Sequence, residues 1–337
     1  MDFIIENGTL VKYLGNASSI VIPDEVSNVG WFVFAGHSEI TSVTLPEGVK
    51  GIGRSAFLDC VSLTEIVFPE GLESIEHSAF SGCTSLEKAV FPSTLTDIGR
   101  AAFMNCSSLK SVSLPKGITT LGWNLFGGCT SLASVRLPET LTEVGGYSFY
   151  RCSSLVEIDI PQSVEKIKDS AFFECRSLKK VSLPEALEKI ECYAFNNCVS
   201  LEEINVPETT KVGGDHEFSG CPRLADKDGF VIVNGVLFDY FGNDKAVTVP
   251  DGTTFVSCKA FFEHTDIEEV IIPEGVKIIT DKVFSGCHSL VSVDLPKSFF
   301  AGGWMIFRDC PSLTVKVPKD SYAMKYAIEN NIPYEIK

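Results

Sequence analysis

Residues 52–69 read IGRSAFLDCVSLTEIVFP, and most of the chain repeats this unit with variations. Its phenylalanine, Phe57, belongs to a series in which phenylalanine returns every 23 residues. The series comprises Phe34, Phe57, Phe80, Phe103, Phe126, Phe149, Phe172, Phe195 and Phe218 and, after one interruption, Phe261, Phe284 and Phe307. Twelve copies of one short unit predict a solenoid, in which each coil buries its apolar side only against its neighbours.

The second half of the unit predicts a short β-strand. Residues 63–68 follow the pattern L-x-x-I-x-φ, where φ is an apolar residue. Side chains alternate between the two faces of a strand, so Ile66 and Phe68 are expected to point inward, and Glu65 and Val67 outward. The proline that follows, Pro69, has no N–H and is expected where the strand ladder ends.

Each coil is completed by a second short strand and a tight turn. After Pro69, Leu72 and Ile75 form a second apolar pair, and the unit then ends in a compact Ala-Phe-x-x-Cys turn of helical or 3-10 type. The fold class predicted is therefore a repeat solenoid, mainly β with short helical or 3-10 turns. It is a right-handed leucine-rich-repeat coil of about twelve 23-residue repeats.

A hairpin module occurs twice. Residues 3–23 align without gaps to residues 230–250, and the two copies share the dipeptides Asn7-Gly8/Asn234-Gly235 and Gly15-Asn16/Gly242-Asn243. Such dipeptides are typical of hairpin turns. The expected organisation is an N-terminal hairpin cap (1–23), a first repeat block (24–226), an internal hairpin module (227–250), a second repeat block (251–318) and a C-terminal helix–strand cap (319–337).

The C-terminal cap follows from its local signals. Ser321 or Asp320 can cap a short helix through Asn330, and Asn331 suits a left-handed stop. Residues 334–336 can then add a last strand. Both ends of the array would therefore be closed to further strand pairing.

Composition narrows the function. The formal charge of −16 argues against nucleic acid and anionic membrane surfaces, which require basic patches. No stretch approaches the roughly 20 apolar residues of a transmembrane helix. The first ten residues, MDFIIENGTL, lack the basic and apolar regions of a signal peptide. The chain is therefore either intracellular or a mature or trimmed form, and we expect it to be monomeric.

Ten cysteines share one position, three residues after the phenylalanine, and His37 and His264 occupy it in the other two coils. One column at coil spacing does not form the tetrahedral ligand set that zinc prefers, so we expect no metal and no cofactor. A buried column of thiols fits better, because cysteine behaves as a small apolar residue. The column comprises Cys60, Cys83, Cys106, Cys129, Cys152, Cys175, Cys198, Cys221, Cys287 and Cys310.

The repeat string L-x-x-I-x-φ-P-x-x-L-x-x-I-G-x-x-A-F-x-x-C resembles the BspA-like, or Treponema-type, leucine-rich repeats. The hairpin modules and the segment P-K-x-S-x-A-x-x-Y-A-x-x-N-x-I-P-Y are similar to that family as well, so the resemblance covers essentially the whole chain. It implies a bacterial surface or secreted protein that binds host matrix or other cells. It supplies no catalytic residues.

Two surfaces are candidates for protein binding. The first is the outward strand face, where charges of both signs favour an extended polar protein partner; its candidate residues are Glu65, Lys88, Arg136, Glu157, Asp159 and Lys180. The second is the position three residues before the phenylalanine, which holds Trp31 and Trp123. The function predicted is a non-enzymatic adhesion or recognition module. The alternative is a structural spacer with no ligand of its own.

Overall fold

The computed structural model, which describes residues 2–337, is a mainly β solenoid of about 14 turns with one short α-helix. The turns repeat at 23-residue spacing, so the predicted fold class is confirmed. The chain divides into two compact units, the first ending at Lys211 and the second beginning at Val212. The coil of residues 212–226 thus belongs to the second unit.

The strands of the first unit are short. In chain order they are β1 (Phe3–Glu6), β2 (Thr9–Tyr13), β3 (Ser19–Val21), β4 (Asn28–Val29), β5 (Ser42–Thr44), β6 (Gly51–Ile52), β7 (Glu65–Val67), β8 (Ser74–Ile75), β9 (Lys88–Val90), β10 (Asp97–Ile98), β11 (Ser111–Ser113), β12 (Ser134–Arg136), β13 (Glu143–Val144), β14 (Glu157–Asp159), β15 (Lys166–Ile167), β16 (Lys180–Ser182), β17 (Lys189–Ile190), β18 (Glu203–Ile204) and β19 (Lys211–Val212), where the unit ends.

The coils stack their strands in two rows, which are parallel except where β1 pairs with β2. Each coil contributes one strand to each row, except that the coil after β11 contributes only the isolated bridge of Thr120 with Glu143 to the second row. One row contains the sheets β3-β5-β7-β9-β11-β12 and β14-β16-β18, and the other contains β1-β2-β4-β6-β8-β10 and β13-β15-β17-β19. Within the first row the register is one repeat, so that Glu65 pairs with Lys88 and Val67 with Val90. The inward and outward positions of every strand therefore line up along the solenoid.

The third side of each coil is a turn that also bonds to the next coil. The N–H groups of Ser55, Phe57 and Asp59 donate to carbonyl oxygens of that coil at 3.0, 2.8 and 2.8 Å, while those of Ala56 and Leu58 donate three residues back at 3.2 Å. Ser55 and Asp59 are left-handed, with φ of 52° and 56°. The turn has the hydrogen bond of a 3-10 helix. Its left-handed residues nevertheless divide it into successive turns, so no continuous helix forms.

Phenylalanines and cysteines fill the core side by side. From Phe34 to Phe195 the rings of adjacent coils lie 5.0–5.9 Å apart, centroid to centroid. The Sγ of Cys60 donates to the carbonyl oxygen of Phe34 at 3.1 Å, and the same bond recurs at each coil as far as Cys198. Burial raises the pKa of Cys60 to about 12, so this thiol keeps its proton at neutral pH and can donate it.

The second unit contains a 3-10 helix (Pro222–Leu224), ten strands and the α-helix. In chain order these are β20 (Phe230–Val233), β21 (Val236–Tyr240), β22 (Ala246–Thr248), β23 (Phe255–Val256), β24 (Glu269–Ile271), β25 (Ile278–Ile279), β26 (Ser292–Asp294), β27 (Ala301–Gly302), β28 (Thr314–Val317), α1 (Tyr322–Glu329) and β29 (Tyr334–Ile336). They form two five-stranded sheets, β20-β21-β23-β25-β27 and β22-β24-β26-β28-β29.

The two hairpin modules share their structure in detail. β1 pairs with β2, and β20 with β21, both antiparallel and both with a register shift at the same point. Asn7 and Gly8 have φ of 50° and 76°, as a two-residue hairpin turn requires. The prediction of a second turn at Gly15-Asn16 is wrong, because the chain there leaves β2 and crosses to β3 in the other sheet. Gly15 instead makes room for Tyr13, whose hydroxyl would lie 2.5 Å from any Cβ at this position.

The internal module also supplies a buried carboxylate. Asp239, on β21, accepts the N–H of Gly220 at 2.9 Å and that of Tyr240 at 3.1 Å. In most coils the amide at the position of Gly220 donates to a carbonyl of the next coil, so the carboxylate replaces a missing coil-to-coil bond. Burial raises the pKa of Asp239 to about 6, because an ionised carboxylate is poorly solvated there.

The predicted C-terminal helix and strand are confirmed. Ser321 is the N-cap of α1 and accepts the N–H of Met324 at 3.1 Å. Asn331 is left-handed, with φ of 54°, and stops the helix. β29 then pairs in parallel with β28 and becomes the last strand of its sheet.

Candidate protein-binding groove

The outward side chains of the first strand row form one continuous surface on the first unit, which we call the strand face. Each three-residue strand from β3 to β14 points its middle residue inward and exposes the two residues beside it. Ile66 is fully buried, for example, whereas Val67 is 53% exposed. The expected inward and outward positions are therefore confirmed.

The strand face is hollowed into a shallow groove. Three neighbouring depressions of about 570, 800 and 440 Å³ follow one another from Ser42 on β5 to Ser182 on β16. The first two share Glu70, and the last two share Arg136 and Glu139. The groove is therefore continuous across seven strands.

One wall of the groove comes from the loop that follows each proline. Glu47, Glu70, Lys116 and Glu139 stand immediately after their prolines, are exposed and line the depressions beside the strand residues. Reasoning from strand alternation alone missed these four residues. The signal that could have found them is the fixed step of 23 residues from one proline to the next.

Charges in the groove fall into three bands. In coil order acidic side chains come first, basic side chains follow and acidic side chains return; Glu70 and Glu139, at the two borders, also line the middle depression. The first band is Glu47, Glu65 and Glu70; the second is Lys88, Lys116 and Arg136; the third is Glu139 and Asp159, together with Glu157, which is exposed on β14 beside the third depression without lining it. A protein with 28 basic and 44 acidic residues therefore places three cations around one depression.

Few of these charged side chains form close ion pairs with one another. The Nζ of Lys88 lies 3.6 Å from Oε1 of Glu65, and Asp159 accepts a hydrogen bond from Ser182 at 2.6 Å. In residues 2–337, neither Lys116 nor Arg136 has a carboxylate within 4.0 Å. An exposed ion pair contributes little to stability, so replacing it with contacts to a partner costs little free energy. The charged side chains of the three bands are therefore available to a partner.

The structure brings six of the predicted binding residues onto this face. Lys180 continues it on β16 and forms an ion pair with Glu203 at 2.5 Å. The hydrogen bond that Lys180 donates to that carboxylate raises the pKa of Lys180. Trp31 and Trp123 lie instead on the turns, away from the groove, and are 67% and 50% exposed.

The tryptophans are exposed but they also pack along the chain. A Cβ on Gly146 would approach the ring of Trp123 to 2.8 Å, so this glycine allows the indole to lie on the neighbouring coil. From Trp123 a row of rings continues to Tyr147 at 4.6 Å, Tyr150 at 5.5 Å and Phe173 at 5.2 Å, centroid to centroid. The sequence did not predict this row, since its members occupy three different positions of the repeat.

No group of three or more His, Cys, Asp or Glu in residues 2–337 is arranged to hold a metal ion. Nine cysteines of the column are buried and Cys310 is half-buried. Burial raises the pKa of Cys83, Cys106 and Cys152, so these thiols stay protonated and supply no reactive thiolate. Nor is any helix between residues 2 and 337 long and apolar enough to cross a membrane.

The coil geometry, the repeat and the caps agree with one protein family. A family model described as the BspA type leucine rich repeat region matches residues 5–122, 96–225 and 232–331, in six copies. The chain belongs to this family. Its fold is a known non-enzymatic scaffold of leucine-rich repeats, a type that serves as a protein-interaction module.

Solved structures with a similar fold come from several bacteria. A leucine-rich repeat protein from Bacteroides ovatus is 22% identical over 100% of both chains, with a TM-score of 0.70. A leucine rich cell surface protein from Faecalibacterium prausnitzii is 22% identical over 99% of this chain and 92% of its own, with a TM-score of 0.53. The pneumococcal vaccine antigen PcpA is 22% identical over 95% and 79%, with a TM-score of 0.56.

None of the curated proteins matches the sequence of this chain. At 22% identity the solved structures establish the fold alone.

Proposed function

We propose that this chain is a non-enzymatic protein-binding module of a bacterial cell-surface or secreted protein, acting in adhesion or recognition through the groove on the strand face. The observation that carries the proposal is the groove itself, with exposed small and charged side chains over seven consecutive strands. Such a surface suits an extended polar protein segment, whereas small molecules bind in concave apolar pockets.

Display outside the cell is part of the proposal. It is supported by family membership and by one similar structure being that of a cell surface protein. Adhesion would require a ligand on a matrix or on another cell. Charges on the groove would then raise the association rate in a salt-dependent way.

The test is binding of the immobilised chain to a panel of purified host matrix proteins. Once a ligand is found, the double variant Arg136→Glu/Lys180→Glu is compared with Trp31→Ala/Trp123→Ala, which alters the turn surface. We expect the groove variant to lose at least about tenfold in affinity, or about 1.4 kcal/mol. The tryptophan variant should bind normally.

Two results would count against this proposal. Loss of binding only in the tryptophan variant would assign the ligand to the turns. Absence of binding to matrix proteins and to whole cells would favour a structural spacer.

A further inference from the structure

We infer that the groove binds an extended protein segment whose central residues are acidic and whose flanking residues are basic. The inference rests on the proposed function and adds to it the charge order of the partner. It follows from the order of the three bands, acidic, basic and acidic, along one continuous groove.

The side chains of the middle band can bind carboxylates. Lys88, Lys116 and Arg136 line the depression of about 800 Å³, and Ser111 and Ser113 are exposed between them on β11. Glu70 and Glu139 line its two ends, where the acidic bands begin. Small serine side chains allow a backbone to approach closely, and their hydroxyls can donate to it. The guanidinium of Arg136 has no carboxylate of its own within 4.0 Å and can bind one in a two-point contact.

The outer bands define what must flank the acidic centre. On one side Glu47, Glu65 and Glu70 surround a depression that also contains Val67, so a lysine or arginine could lay its stem on the valine and reach the carboxylates. On the other side Glu139 and Asp159 line the third depression. Like charges at either end would repel a segment that is acidic throughout.

The groove also sets the length of the partner. The three bands extend from β5 to β14, six strands, and strands stack about 4.8 Å apart, so the bands cover about 24 Å. An extended chain advances about 3.3 Å per residue, which makes about seven residues. A dense polyanion is disfavoured, because it would meet six carboxylates and a protein of net charge −16.

Two peptides of identical composition, each about two residues longer than the segment that the bands cover, test the inference by fluorescence anisotropy. The matched peptide is Lys-Lys-Ser-Asp-Ser-Glu-Ser-Lys-Lys, and in the second peptide Asp and Glu are moved to one end. We expect the matched peptide to bind at least about tenfold more tightly at about 0.05 M salt, with a smaller difference at about 0.3 M.

Variants assign the preference to the groove. Lys116→Glu/Arg136→Glu should abolish it, because the middle band then repels the acidic centre. Lys12→Glu/Lys319→Glu changes the net charge equally at two exposed lysines outside the groove and should preserve it. All four residues are exposed, so circular dichroism should confirm that both variants fold.

Three results would overturn the inference. The first is equal affinity of the chain for the two peptides, and the second is an equal loss of the preference for the matched peptide in both double variants. The third is displacement of the matched peptide by a sulfated polysaccharide that binds the chain more tightly. A chain that prefers neither peptide, yet loses its matrix ligand on Arg136→Glu/Lys180→Glu, would refute the charge order and leave the proposed function standing.

Discussion

Removing one ring from the middle of the phenylalanine column should destabilise the first unit strongly. Phe126 is fully buried, and its ring centroid lies 5.9 Å from that of Phe103 and 5.8 Å from that of Phe149. Replacing a fully buried phenylalanine with alanine removes its transfer free energy and leaves a cavity, at a cost of about 3–5 kcal/mol. Contacts on both sides leave little room for the neighbours to collapse into the space.

The same change at the end of the array should cost less. Phe307 is half-buried and stacks on one phenylalanine ring of the column, that of Phe284 at 5.5 Å, so we expect a loss of about 1–3 kcal/mol. Coils interact mainly with their neighbours. The effect of Phe307→Ala should therefore stay within the second unit.

Urea unfolding followed by tryptophan fluorescence and circular dichroism separates the two effects. Trp31 and Trp123 report on the first unit and Trp304 on the second. Phe126→Leu, which keeps most of the apolar volume, is the matched control and should lose about 1.5 kcal/mol or less. Equal losses for the two alanine variants, or a cost below about 1 kcal/mol for Phe126→Ala, would refute the packing argument.

Two further predictions concern the thiols and a buried carboxylate. A thiol-specific reagent should titrate at least ten of the twelve cysteines in non-reducing denaturant but leave the nine buried cysteines of the column unreacted in the native protein; several disulfides would contradict this. The pKa of Asp239 is raised from its ordinary 3.8 to about 6, so its contribution to stability is complete below about pH 4 and is lost as the pH rises through 6. Asp239→Asn keeps one acceptor oxygen and loses the other, which lowers the free energy of unfolding equally at all pH values. On top of that loss, the difference between variant and wild type, measured by urea midpoints, should shift in favour of the variant by about 2–3 kcal/mol between pH 4 and pH 7.5, while the exposed control Asp97→Asn shows no such shift. A difference that does not vary with pH would show that the carboxyl does not titrate as proposed.

The regular part of this fold could be read from the sequence because the same constraint recurs at every coil. Strand alternation placed Ile66 inside and Val67 outside, and the structure agrees. Asn-Gly required a hairpin turn and formed one at Asn7-Gly8. Each of these predictions depends on residues close together in the chain.

The errors and omissions arise from constraints that strand alternation and turn dipeptides do not describe. Gly15-Asn16 has the sequence of a turn, but a side chain at its glycine would collide with the ring of Tyr13, so the glycine is needed for space. The wall residue Lys116 reaches the groove because of the path that the chain takes after its proline, which strand alternation does not describe. The left-handed Ser55 and Asp59 follow from hydrogen bonds to the next coil, a constraint that a local helical pattern does not contain.

The two hairpin modules have an evolutionary consequence. At the start of the chain Val11 is 37% exposed, whereas its counterpart in the internal module, Phe238, is fully buried against the ring of Phe218 at 5.3 Å. Two differences at this junction are therefore the larger apolar residue and Asp239, which accepts the Gly220 N–H and stands where the first module has Lys12. A duplicated gene segment that begins with such a module could therefore be inserted between coils with few compensating substitutions, and proteins of this kind could lengthen by whole blocks.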